Sequence, residues 1–159
     1  MKAATIKDIQ TELENLPAQE LMSICLRLAR FKKENKELLT YLLFESFDEQ
    51  AYLENVKQHI NGLFAEMNSS NLYFVKKTLR KILRLISKFS RYTGSANVEI
   101  QLLMHFCMSL KSSGIKYTES PVLTNLFNNQ VKKIKKSVAA LHEDLQYDYD
   151  KELKKITGT

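Results

Sequence analysis

Apolar residues recur at spacings of three and four along almost the whole of this chain, with only four glycines and two prolines to interrupt them. A period near 3.6 gathers apolar side chains on one face of successive helices. So little glycine and proline leaves few of the tight turns that a β fold requires. The expected class is therefore all-α, with about seven helices in an αα-superhelix of helical-repeat type or an irregular helical bundle. A length of 159 residues fits a single domain over 1–159. Its acidic end, 146–159, would fray or fold back.

Local signals place the elements. Thr5 with Asp8 can cap a short first helix whose apolar side is Ile6, Ile9, Leu13 and Leu16. Pro17 suits the first position of a second helix, carrying Leu21, Ile24, Cys25, Leu28 and Phe31. The polar run 32–37 reads as a connection near Asn35. A third helix, Glu37 to Phe47, is apolar around most of its circumference, which marks it as the central core element. Asp48 opens a fourth, carrying Tyr52, Leu53, Val56, Ile60, Leu63, Phe64 and Met67. Asn68-Ser69-Ser70-Asn71 ends it and caps a fifth, Leu72 to Tyr92. A nearly all-apolar sixth runs from Glu99 to Leu110, and Ser120-Pro121 opens a seventh that continues to Leu145. Aligning 37–44 with 99–106 gives two identities, Glu and Phe, a faint sign of repeated helix pairs.

Charge is divided unevenly along the chain. Residues 1–66 carry eight bases and eleven acids, 67–141 carry thirteen and two, and 142–159 carry three and five. On a wheel of residues 72–92, Lys76, Lys77, Arg80, Lys81, Arg84, Lys88 and Arg91 occupy one arc of about 140°. Leu79, Ile82, Leu83 and Ile86 lie on the complementary arc. No acid is interspersed to form i,i+4 pairs, and like charges at that spacing cost a few tenths of a kcal/mol each. Lys132, Lys133, Lys135 and Lys136 form a similar polar face on the seventh helix. Three roles are open to these bases: a solvated or internally paired surface, a site for nucleic acid or another polyanion, or a contact for an acidic protein or lipid. Tyr73, Phe74 and Tyr92 flank the stripe and could stack on bases, although aromatics at this spacing commonly pack inward.

Catalytic and metal signatures are not evident. His142-Glu143 begins a helical zinc motif, but Gln146 stands where the second histidine belongs. His105 and Cys107, two apart on a helix, point about 200° away from each other. His59 and His105 read as core or boundary residues, and Cys25 and Cys107 as buried free thiols. No phosphate loop, nucleophile elbow or Cys-x-x-Cys pair occurs, so no catalytic residue, metal or cofactor is nominated. No apolar run approaches the roughly 20 residues of a membrane span, and the start lacks an apolar signal core, so a cytoplasmic protein is expected. The expected function is non-enzymatic binding or scaffolding through the basic face, to a protein partner or a polyanion.

The opening combines a short helix, Leu16-Pro17-Ala18-Gln19-Glu20-Leu21, an amphipathic helix and Lys33-Glu34-Asn35-Lys36-Glu37-Leu38. This third of the chain resembles bacterial all-helical families of uncharacterised function. The resemblance implies a small soluble bacterial protein and assigns no site.

Overall fold

The helix boundaries follow from side chains that satisfy the free backbone groups at each end. In the structure, a computed structural model describing residues 1–158, Thr5 and Asp8 form a reciprocal capping box at the start of α1 (Ile6–Glu14). Asp48 caps α4 (Glu49–Ala65), Asn71 caps α5 (Leu72–Thr93) and Ser95 caps α6 (Ala96–Ser112). Ser120 caps α7 (Pro121–Val138), with Pro121 in its first turn, and His142 caps α8 (Glu143–Thr157). Gly94 ends α5 in the left-handed conformation, at φ +63°, which a side chain would strain. The all-α expectation holds: eight α-helices, one π-helical turn and one 3-10 turn make up the ordered elements of the described residues. Among the described residues, no helix is long and apolar enough to cross a membrane.

Contacts divide the chain into two units, residues 1–45 and 46–159. The second is built around α6, which packs against α4, α5, α7 and α8. Eight α6 residues are buried, and Ile100, Leu102, Phe106, Cys107 and Leu110 are wholly inaccessible. A helix surrounded this way needs apolar side chains on nearly every side, which its sequence supplies. Around it, α4 contributes Tyr52, Leu53, Val56 and Ile60, and α5 contributes Val75, Leu79, Ile82 and Ile86. The Tyr52 hydroxyl donates to the Phe89 carbonyl at 3.2 Å, and Phe64 packs on Phe106 with ring centroids 5.8 Å apart.

Several expectations are corrected. The seventh helix ends at Val138 instead of running to Leu145. Of the two alternatives for the acidic end, fraying or folding back, the structure has the second: it folds back as α8, burying Tyr149, Leu153 and Ile156 against α6 and α7. The Tyr149 hydroxyl donates to Asn97 Oδ1, and Lys111 Nζ donates to the Ile156 carbonyl at 2.7 Å. A cation at that helix end also opposes the negative pole of its dipole.

The first unit differs more. It contains α1, α2 (Ala18–Phe31), α3 (Lys33–Thr40) and a π-helical turn, Tyr41–Glu45. Pro17 is the N-cap of α2, in extended conformation, and not its first helical residue. The connection lies at Lys32, and Asn35 sits inside α3, where its Nδ2 donates to the Leu28 carbonyl at 2.8 Å and ties the α2–α3 hairpin. The segment expected to be the central core is mostly surface: of its apolar side chains only Tyr41 is buried, while Leu42, Leu43, Phe44 and Phe47 are 52–84% exposed. Apolarity shows that a helix can be surrounded, but within this unit only α2 packs substantially on α3. Cys25 is exposed as well; Cys107 is buried, and burial pushes its thiol pKa up to about 12.

His105 sits half-buried on α6 with Nε2 2.7 Å from Asn61 Oδ1 of α4. Burial, aided by the nearby Lys57 charge, holds its pKa below the usual 6.5, outweighing the opposing effect of Glu54. A histidine kept neutral on folding stabilises least where the unfolded chain can take up the proton. Stability should therefore fall as pH drops from about 6.5 through the lower folded value. Urea midpoints measured between pH 7.5 and 5 should decline in this window, and His105→Gln should flatten the decline.

Candidate polyanion-binding face

The basic stripe is a consequence of how α5 packs. Val75, Leu79, Ile82 and Ile86, at steps of four, three and four, turn one face onto the core. The opposite face then consists of the seven bases. Lys77, Arg80, Lys81, Arg84 and Arg91 are exposed, and Lys76 and Lys88 are half-buried. Lys76 to Arg91 spans about 22 Å of helix at 1.5 Å per residue.

None of Lys76, Lys77, Arg80, Lys81, Arg84 or Arg91 forms an ion pair among the described residues. Lys88 is engaged, with its Nζ 4.9 Å above the Phe89 ring. The acidic α8 packs on α6 and α7, so it leaves the stripe open. Lys76, Lys77, Arg80 and Arg84 line an open depression together with Tyr73 and Leu83.

The flanking aromatics part company. Tyr73 and Phe74 are 60% and 42% exposed and meet edge to face at 5.5 Å. Tyr92 instead packs at 5.9 Å on Phe89, the ring that meets Tyr52 of α4. Tyr73 thus keeps an exposed ring, packed edge-on against Phe74, beside four cations.

The lysines of α7 do not extend this depression. Lys132, Lys133, Lys135 and Lys136 are all exposed, but α5 and α7 each pack on α6, and no α7 residue lines the α5 depression. Lys133 is also committed, 2.6 Å from Glu99 Oε1 of α6. Half-exposed pairs of this kind contribute at most about 1 kcal/mol. Glu99 was one of the two acids in the basic segment, and its use here could not be read from a partner 34 positions away.

Among the described residues, no three His, Cys, Asp or Glu side chains gather as a metal site. His142 serves as a helix cap, 3.5 Å from Asp144. The chain matches no protein-family model, no curated protein and no solved structure.

Proposed function

We propose that this is a non-enzymatic binding protein whose α5 face takes up a polyanion, with nucleic acid the first candidate. The observation that carries the reading is the set of six cations on one helical face, without acid partners among the described residues and with the Tyr73 ring beside four of them. Unpaired like charges along a helix are mildly destabilising, so a partner that neutralises them gains both attraction and relief of repulsion. A row about 22 Å long suits a chain of phosphates, and an exposed tyrosine can stack on an unpaired base. An acidic protein would satisfy the charge without making use of the exposed Tyr73 face.

The test is binding of a fluorescent mixed-sequence oligonucleotide across a salt series. Six phosphate contacts predict a log–log slope of roughly −4 for a single strand and roughly −5 for a duplex. Affinity should then fall by two to three orders of magnitude between about 50 and 200 mM salt. No binding even at the lowest salt would sink the nucleic-acid reading.

A further inference from the structure

The first unit leaves a groove and a helix unpartnered, and the two are complementary. Across the α2–α3 hairpin runs an open groove lined by Leu26, Leu39, Leu43 and Phe44 and by the cations Arg30, Lys32, Lys33 and Lys36, of which Lys33 lies 3.7 Å from Glu37. The helix is α1, with Ile6 81% and Ile9 43% exposed. On the α1 wheel Ile6, Ile9 and Leu13 form one stripe, with Glu12 about 90° to one side and Glu14 about 110° to the other. An acidic helix laid stripe-down in this groove brings its carboxylates toward the cations that line it. The lengths agree: α1 spans about 14 Å, and Lys33 to Phe44 about 16 Å at helical rise.

The geometry points to a second copy of this chain as the occupant: α1 of each protomer docks in the α2–α3 groove of the other, closing a two-fold dimer. A molecule's own α1 cannot do this. It joins α2 through Asn15–Pro17, so folding back along α2 would place Glu12 and Glu14 near the start of α2. The groove's cations begin at Arg30, about 18 Å further along. Charge supports a like partner. Residues 1–45 carry seven bases and seven acids, with four acids and no base over 8–20 and five bases and one acid over 27–36. A two-fold axis sets such halves against each other, each patch meeting its complement twice. The α5 stripe is a poorer seat for α1, because its apolar residues face the core.

The surfaces that would meet are apolar and open: Ile6 and Ile9 of α1 and Leu26, Leu43 and Phe44 of the groove are 43–81% exposed. Only Tyr41 is buried within the unit itself, so it has little core of its own to hold it.

The test is light scattering coupled to size exclusion on the full chain, with two charge-reversed variants, Glu12→Lys/Glu14→Lys and Lys32→Glu/Lys33→Glu/Lys36→Glu. The native chain should be dimeric at about 10 μM, and each variant alone should weaken dimerisation at least tenfold. Mixed in equal amounts, the variants should regain a dimer, since each groove then meets an α1 of opposite sign. Ile6→Glu/Ile9→Glu, at exposed positions, gives a second route to the monomer, with helical circular dichroism as the check on folding. A native monomer at about 100 μM, a dimer indifferent to all three variants, or a mixture that stays monomeric would each overturn the proposal.

Discussion

Phe106→Ala should destabilise the second unit by about 3–5 kcal/mol, the range for removing a fully buried aromatic side chain. Phe106 is 0% exposed on α6, the helix that packs against four others, and its ring meets Phe64 of α4. The loss combines apolar transfer with a cavity that α4, α5, α7 and α8 cannot all move to close. Domains of this size have about 5–15 kcal/mol in hand, so the variant should be marginal at 37 °C. Phe44, which aligns with Phe106, is 66% exposed, and Phe44→Ala should change the unfolding free energy of the monomer by no more than about 0.5 kcal/mol. Urea unfolding of both variants, below the concentration at which the chain dimerises, checks the pair. Comparable losses would show that the 41–47 segment carries core weight after all.

That contrast explains what the sequence could and could not disclose. Caps were legible at Thr5, Asp48, Asn71 and Ser120, because a cap is settled within three residues. The inward faces of α4 and α5 were legible because one apolar stripe admits one orientation. The third and sixth helices were not separable, since both are apolar nearly all round. Which becomes a hub depends on how many helices are available to surround it. Helix α6 has four, and α3 has little beyond α2. The α8 stripe of Tyr149, Leu153 and Ile156 has helical spacing but is diluted by Asp148, Asp150, Lys151 and Glu152, so charge density masked a packed helix. Pairings such as Lys133 with Glu99 and His105 with Asn61 join residues 34 and 44 positions apart, and no local pattern encodes them. For the site, exposure of the α5 bases followed from the wheel. Detachment of the α7 lysines from their depression required knowing that α6 lies against both helices.

The same geometry fixes what charge reversal on α5 should do. Arg80→Glu/Arg84→Glu removes two guanidinium groups from the middle of the depression, one turn apart and both exposed. Each arginine–phosphate contact is a charge-assisted hydrogen bond contributing about 1.5–3 kcal/mol, and each glutamate adds repulsion where attraction stood. Oligonucleotide affinity near 50 mM salt should therefore fall by at least about 100-fold. The salt slope should flatten by roughly two contacts. Folding should not suffer, because the replaced groups hold no ion pair among the described residues and the glutamates end the like-charge contacts with Lys76 and Lys88. Lys133→Gln supplies the control: it breaks the Glu99 pair, costs at most about 1 kcal/mol of stability and should leave binding nearly unchanged. Tyr73→Ala separates the two kinds of partner. Loss of stacking costs about 1–3 kcal/mol with a single strand. A duplex or an acidic protein, meeting the charges alone, should bind the Tyr73→Ala protein almost as well as the native chain. A Tyr73 effect confined to single strands, together with the arginine effect on all polyanions, would identify α5 as a reader of unpaired nucleic acid. An arginine effect without it would make the stripe a general electrostatic surface.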